Sequence, residues 1–146
     1  MHSHTLIYIA IEQTNLKTDK LEMTAKRILI VDDDKSILRF FSLILQGKGY
    51  VTDTAETVRE TLEKISNQSY DVVLIDVVLP DANGLDLLKS IPSTIKKIVI
   101  TGTISDYNYS RAKKEGADAY LMKPIKPEVL LQIIANEPQD DMSSHY

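Results

Sequence analysis

Residues 28–33 read ILIVDD, an unbroken apolar run that ends in two acids. Two later runs share this design: residues 72–76 read VVLID, and residues 98–101 read IVIT. Interior strands of a parallel sheet are apolar along their whole length, because helices cover both faces of the sheet. The three runs therefore predict parallel strands that each end in a carboxylate or a hydroxyl side chain.

The segments between these runs have the periodicity of helices. Helix-like spacing follows Ser36, Val58, the Asn83-Gly84 turn and Pro127, and a poorly apolar segment at 105–115 is expected to form the most loosely packed helix. Further strands are expected at 50–55 and 119–122, with the third and fourth at 71–76 and 97–101. Alternating strands and helices predict an α/β fold with a doubly wound, five-stranded parallel sheet. The expected inward-facing helical residues are Ile37, Phe40, Phe41, Ile44, Leu45, Val58, Leu62, Ile65, Leu85, Leu88, Ile91, Tyr107, Tyr109, Ala112, Val129, Leu130, Ile133 and Ile134.

The composition excludes several classes of protein. A chain of 146 residues with 43% hydrophobic content fits one domain with its own core. A net charge of −4 without a basic block argues against binding to nucleic acid, and the lack of cysteine excludes disulfides and thiolate metal sites. The apolar run at 6–11 is far shorter than the roughly 20 residues of a membrane helix, so we expect a cytoplasmic protein without membrane insertion.

Three segments are expected along the chain. Residues 1–25 form an N-terminal extension that is either disordered or the product of an upstream start codon, with Met23 as a candidate true start. Residues 26–136 form the folded domain, and the polar residues 137–146 form a mobile tail.

The predicted strand ends bring acidic side chains to one edge of the sheet. Ligands of open parallel sheets bind beyond the carboxyl ends of the strands, where Asp32, Asp33, Asp76 and Thr101 are expected. Three carboxylates in one place repel each other unless a cation lies among them. Mg²⁺ prefers such oxygen ligands, so the sequence predicts a site for Mg²⁺, or alternatively Mn²⁺.

Together with Met122-Lys123-Pro124, these residues resemble the receiver domain of two-component response regulators, over residues 26–136. The resemblance implies a flavodoxin-like fold with strand order 2-1-3-4-5 and helices on both faces. The short span from Asp76 to Thr101 implies a truncated third helix or loop. In the implied site Asp76 is the phosphoacceptor, and the metal ligands are Asp32, Asp33, Asp76 and the backbone carbonyl of Val78. Thr101 and Lys123 are the implied phosphoryl-binding residues, and the bond between Lys123 and Pro124 is expected to be cis. Tyr120 is the implied aromatic switch, which moves from an exposed to a buried position.

The function implied by this resemblance is phosphorelay signalling. A stand-alone receiver would take a phosphoryl group onto Asp76 from a histidine kinase or a histidine phosphotransfer protein, and would then change its affinity for an unknown protein target. It would catalyse only its own phosphorylation and dephosphorylation. Because Val78 cannot orient an attacking water molecule, we expect slow loss of the phosphoryl group. Leu38 and Ile125 are hypothesised to help dock the phosphodonor.

Other interpretations of these residues remain open at this stage. Asp76 alone could be a strand-end acid that caps a turn, and Lys123 could be an ordinary surface lysine. A Mg²⁺-dependent phosphohydrolase with an aspartyl nucleophile commonly needs a second acid two residues further on, where Val78 stands. A nucleotide or flavin binder would need a glycine-rich fingerprint, which the sequence lacks. A receiver-like interaction module that is never phosphorylated usually lacks one of the acids or the lysine, and none is missing.

Overall fold

The computed structural model describes residues 25–103 and 105–136, and these residues form an α/β fold in which helices cover both faces of one sheet. The strands are β1 (Arg27–Val31), β2 (Val51–Ala55), β3 (Val72–Asp76), β4 (Lys96–Thr101) and β5 (Ala119–Met122). The helices are α1 (Lys35–Gly47), α2 (Val58–Asn67), α3 (Asp106–Lys114) and α4 (Pro127–Ala135), and a 3-10 helix, η1 (Gly84–Ser90), follows β3. The strands form a parallel sheet in the order β2-β1-β3-β4-β5, which confirms the predicted fold. The predicted N-terminal extension, apart from Ala25, and the predicted tail lie outside the described residues.

The register of the sheet aligns the carboxyl ends of its central strands. Val31 is paired with Ile75, so the residues that follow β1 lie beside Asp76 at the end of β3. Asp76 in turn is paired with Ile100, which places Thr101 one residue further along the neighbouring strand. The acidic and hydroxyl residues therefore share one edge of the sheet, as predicted.

Two apolar cores cover the two faces of the sheet, because successive strand residues point to opposite sides. On one side, alternate residues of β1, β3 and β4 pack against α1 and α4. On the other side, the remaining strand residues pack against η1 and α3, with Val58 and Ile65 of α2 at the margin. Within the described residues, no helix is long and apolar enough to cross a membrane.

Helix α1 is rotated relative to the predicted orientation. Its buried residues are Leu38, Phe41 and Leu45, whereas Phe40 is 50% exposed, so the expected inward position of Phe40 is wrong. Apolar residues occupy most of positions 37–45, so spacing alone allows more than one choice of buried face. Contact with the sheet selects the narrow i, i+3, i+7 stripe.

Three other expected core positions are also wrong. Leu62, Tyr107 and Val129 are 39%, 73% and 36% exposed. In α2 the fully buried position is instead Thr61, whose hydroxyl donates a hydrogen bond to the Thr57 carbonyl at 2.8 Å. That bond satisfies the hydroxyl within the helix, which allows a polar residue to replace leucine in the core.

The helix after β3 is short, as the span from Asp76 to Thr101 implied. Asn83 caps η1 by accepting a hydrogen bond from the Leu85 amide at 2.8 Å, and the seven residues of η1 form a 3-10 helix instead of an α-helix. Strands β2, β3 and β4 begin at Val51, Val72 and Lys96, each within one residue of the predicted start.

Candidate functional site

Three carboxylates meet at the carboxyl edge of the sheet. Asp32 and Asp33 follow β1, Asp76 ends β3, and one carboxylate oxygen from each lies within 4.8 Å of the others. Asp32 and Asp76 are buried, at 3% and 6% exposure, whereas Asp33 is exposed to solvent. Converging carboxylate oxygens that remain open to solvent on one side are suited to a hydrated divalent cation.

Lys123 lies between the two buried carboxylates. Its Nζ atom is 3.0 Å from Asp32 Oδ2 and 3.0 Å from Asp76 Oδ2. The Lys123 amide donates to the Thr101 carbonyl at 2.7 Å, which fixes the backbone just beyond β5, and the bond to Pro124 is cis, as the resemblance implied. The ammonium group is therefore held in direct contact with the proposed acceptor.

The electrostatics of the cluster show an excess of negative charge. Burial, joined by the charge of Asp76, raises the pKa of Asp32 despite hydrogen bonds from the Asp34 amide and Lys123. Burial acts to lower the pKa of Lys123, but Asp76 and Asp32 together outweigh it and raise that pKa. Lys123 thus stays charged, yet one ammonium group faces three acids. The remaining imbalance is what a divalent cation would relieve.

The third acid of the run has a different role. Asp34 Oδ1 accepts hydrogen bonds from the amides of Ser36 at 2.9 Å and Ile37 at 3.4 Å, so Asp34 caps α1. Only Asp32 and Asp33 of the run join the cluster.

The loop that follows Asp76 is fixed against its side chain. The Val78 amide donates to Asp76 Oδ1 at 3.1 Å, and Val78 pairs with Asn83 across the loop while its side chain is 70% exposed. The Gly84 amide donates to the Val77 carbonyl at 2.7 Å. A Cβ atom at Gly84 would lie only 1.9 Å from the Asp76 carbonyl oxygen, so this position requires glycine.

Sequence reasoning missed two features of this loop. It explained Gly84 only as a turn residue, because an Asn-Gly pair indicates a turn and does not reveal that the glycine lies against β3. It also did not single out Asp81, whose carboxylate accepts hydrogen bonds from the amides of Val58 at 2.9 Å and Arg59 at 3.2 Å. Both contacts join residues that no local pattern relates.

Thr101 and Tyr120 lie next to each other behind the acidic cluster. Thr101 is 2% exposed, and its hydroxyl donates to the Thr103 carbonyl at 2.8 Å. Tyr120 is 1% exposed and packs edge-on against Tyr109 of α3, with ring centroids 5.6 Å apart. Burial raises the pKa of Tyr120, and the Thr101 side chain acts in the opposite direction. The aromatic residue is thus in the buried position, on the strand next to that of Thr101.

The two hypothesised docking residues differ in position. Leu38 is 6% exposed and belongs to the core between α1 and the sheet, so its assignment to a docking surface is wrong. The error follows from the rotation of α1 described above. Ile125 is half-buried against the same core, and its docking role stays a prediction.

Comparison with known proteins gives matches over the same residues. The family model for the response regulator receiver domain matches residues 28–135. The response regulator ArlR of Staphylococcus saprophyticus is 33% identical over 122 residues, which cover 80% of this chain and 56% of ArlR, so the chain spans about half the length of this relative.

Solved structures also resemble the chain. The CheY-like receiver domain protein of Methanospirillum hungatei is 43% identical with a TM-score of 0.73, covering 76% of this chain and 91% of that one. A response regulator of Burkholderia pseudomallei, solved with a phosphorylated aspartic acid, a calcium ion and citrate, is 26% identical with a TM-score of 0.72, covering 82% of this chain and 69% of that one. The chain therefore belongs to the response regulator receiver domain family, whose members are signalling modules of two-component phosphorelays.

Proposed function

We propose that Asp76 accepts a phosphoryl group, in a Mg²⁺-dependent reaction, from a histidine kinase or a histidine phosphotransfer protein. The observation that carries this proposal is the convergence of Asp32, Asp33 and Asp76 with Lys123 at one edge of the sheet. Family membership gives the class of protein, and this convergence supports the assignment of the individual residues.

The chemistry requires a carboxylate oxygen that can attack phosphorus. In the transfer, an Asp76 oxygen forms a bond to phosphorus, the bond from phosphorus to the donor histidine nitrogen breaks, and the nitrogen leaves with the electron pair. Hydrogen bonds from Val78 to one oxygen of Asp76 and from Lys123 to the other hold the carboxylate in a fixed orientation. The product is an acyl phosphate.

The residues at this edge fit a divalent cation. Asp32, Asp33 and Asp76 would each supply a carboxylate oxygen, and the Val78 backbone carbonyl would supply a further ligand. Mg²⁺ or Mn²⁺ would neutralise the charge that builds up on the transferring oxygens. The raised pKa of Asp32, caused by burial and by Asp76, supports a need for added positive charge here. The relative from Burkholderia pseudomallei was solved with a phosphorylated aspartic acid and a calcium ion, which supports the proposal that a phosphorylated aspartate and a divalent cation occur together here.

After transfer, the new oxygens would compete for existing partners. Lys123 can exchange its hydrogen bond with Asp76 Oδ2 for one with a phosphoryl oxygen. The Thr101 hydroxyl, which donates to the Thr103 carbonyl, can donate to a second phosphoryl oxygen instead. Movement of Thr101 would change the surroundings of Tyr120, which lies on the neighbouring strand and packs on α3 through Tyr109. Phosphorylation would thereby shift the population of two packings of this face and alter affinity for a downstream protein.

The phosphohydrolase interpretation lacks a residue that it needs. Val78, two residues after Asp76, is apolar and 70% exposed at the rim of the site, where such an enzyme would need an acid. An apolar side chain can neither donate nor accept the proton of a hydrolytic step. The same residue supports our expectation that the phosphoryl group is lost slowly.

Intact-mass measurement tests the proposal. The wild-type protein, Asp76→Asn and Asp34→Asn are incubated with acetyl phosphate, with Mg²⁺ or with a chelator. We expect wild type and Asp34→Asn to gain one phosphoryl group only with Mg²⁺, because Asp34 caps α1 and lies outside the cluster, and we expect Asp76→Asn to gain none. Equal phosphorylation of Asp76→Asn, or phosphorylation of wild type in the presence of the chelator, would refute the proposal.

A further inference from the structure

Asp81 connects the loop after the acceptor to the N-terminus of α2. Its Oδ1 accepts a hydrogen bond from the Val58 amide at 2.9 Å and its Oδ2 accepts one from the Arg59 amide at 3.2 Å. The helix already has its own cap, because Thr57 Oγ1 accepts from the Glu60 amide at 3.0 Å. The amides of the first turn of α2 therefore have two acceptors. One is Thr57, which directly precedes the helix, and the other is Asp81, which lies 22 to 23 residues away from the amides that it binds.

The loop is fixed to Asp76 at its base and to α2 at its tip. At the base, the Val78 amide binds Asp76 Oδ1 and the Gly84 amide binds the Val77 carbonyl. Leu79 is buried in the apolar core, whereas Pro80 and Asp81 at the tip are exposed, and the Asp81 carboxylate joins this exposed part to α2 by hydrogen bonds. Hydrogen bonds from Val58 and, less strongly, from Arg59 hold the pKa of Asp81 below its ordinary value, and a carboxylate at a helix N-terminus is also favoured by the helix dipole.

We propose that Asp81 is a positioning residue for the cation site: by anchoring the loop tip to α2, it holds the Val78 backbone beside the three carboxylates. This inference rests on the proposed function, since the position of Val78 matters only if Asp32, Asp33 and Asp76 bind a cation. A loop that is already ordered loses little conformational freedom when its carbonyl becomes a ligand, whereas a mobile loop must be ordered first. Asp81 acts through the loop and does not itself reach the cation.

Asp71 provides a matched control. It is also an exposed aspartate, and its carboxylate accepts a hydrogen bond from the backbone amide of Arg27 in β1 at 2.8 Å. It precedes β3, however, and so lies at the opposite edge of the sheet from Asp76. The alanine variants of Asp71 and Asp81 remove the same kind of contact, and only one of them touches the acceptor loop.

The test measures cation binding without any phosphodonor. Mn²⁺ affinity is determined by electron paramagnetic resonance for wild type, Asp81→Ala, Asp81→Asn and Asp71→Ala. We expect Asp81→Ala to weaken binding by roughly three- to tenfold, at or below the range typical of outer partners of metal ligands. Asp81→Asn, which keeps an acceptor oxygen, should fall between it and wild type, and Asp71→Ala should bind Mn²⁺ as wild type does.

Amide hydrogen exchange shows whether the contact was lost in a folded protein. In Asp81→Ala the amides of Val58 and Arg59 should exchange faster, while the amides of β3 stay protected. Release of these two amides with unchanged Mn²⁺ affinity would overturn the proposal, as would an equal loss of affinity in Asp71→Ala. If wild type binds Mn²⁺ but Asp76 is never phosphorylated, the proposed function fails while the affinities still decide the role of Asp81. If wild type binds no Mn²⁺, both fail.

Discussion

Replacement of Gly84 by alanine should displace the end of β3 directly. The added methyl carbon would lie 1.9 Å from the Asp76 carbonyl oxygen and 2.9 Å from the Asp76 carbonyl carbon, and both of these are backbone atoms that no side-chain rotation can move. Ordinary contact begins at 3.4 Å, so the two segments must separate by about 1.5 Å. Gly84 and Leu85 are buried, which leaves the loop little room to move away.

The expected loss of stability is about 2–4 kcal/mol. Overpacking of a well-packed interior typically costs about 1–3 kcal/mol, and stretching the 2.7 Å bond from Gly84 to the Val77 carbonyl removes about 1 kcal/mol more. A domain of this size has a free energy of unfolding of about 5–15 kcal/mol, so the variant should still fold. Because Asp76 itself is displaced, its phosphorylation should slow by roughly 100-fold.

Urea unfolding and the rate of phosphorylation by acetyl phosphate check these two values. Gly47→Ala is the matched control, since a Cβ atom at Gly47 meets nothing within 4 Å and lies at the end of α1, remote from the loop. It should unfold near the wild-type urea concentration and react at the wild-type rate. A Gly84→Ala protein as stable and as reactive as Gly47→Ala would refute the account of the loop.

Three further predictions concern single side chains. Lys123→Met leaves Asp32 and Asp76 without their shared ammonium group, so in thermal unfolding without Mg²⁺ it should lose stability, by less than the roughly 3–5 kcal/mol of a fully buried pair because Lys123 is 25% exposed. Mg²⁺ should restore much of the loss, and unchanged stability without Mg²⁺ would contradict the described pairing. Val78→Asn should shorten the lifetime of the acyl phosphate, followed by intact mass after the donor is removed, and an unchanged lifetime would show that this position does not control water attack. Lys97→Met should stabilise the protein at neutral pH, because burial lowers the pKa of Lys97 against the attraction of Asp118. The stability of the wild-type protein should rise with pH between that lowered pKa and 10.5, because the unfolded chain then binds more protons than the folded one. The difference in unfolding free energy between Lys97→Met and wild type, measured by urea titration, should therefore decrease over this pH range. A constant difference would be evidence against a buried charge.

The sheet and the acidic cluster were predictable because they follow from local patterns and one rule of topology. Apolar runs marked the strands, and the convergence of parallel strand ends brought Asp32, Asp33, Asp76 and Thr101 to one edge. The position of Lys123 is different, since β5 is followed by an ordinary Lys-Pro pair and only the resemblance to receivers assigned Lys123 to the site. The structure then placed its Nζ atom 3.0 Å from two carboxylates.

The features that could not be predicted depend on contacts between distant segments. The buried face of α1 is chosen by the sheet, and the apolar residues around Leu38 and Phe40 do not reveal which of them faces it. Gly84 and Asp81 look like turn residues in the sequence, yet Gly84 lies against the carbonyl of Asp76 and Asp81 accepts hydrogen bonds from the first turn of α2. Neither contact leaves a periodic signal along the chain, so neither can be predicted from the sequence alone.

Chemical mapping tests whether Asp76 is the residue that carries the phosphoryl group. Borohydride reduces an acyl phosphate to an alcohol, so the phosphorylated wild-type protein is treated with borohydride, digested and sequenced by mass spectrometry. We expect homoserine at position 76 in the sample phosphorylated with Mg²⁺ and aspartate there in the sample without phosphodonor. Homoserine at position 33 or at another acid, with aspartate retained at 76, would contradict it.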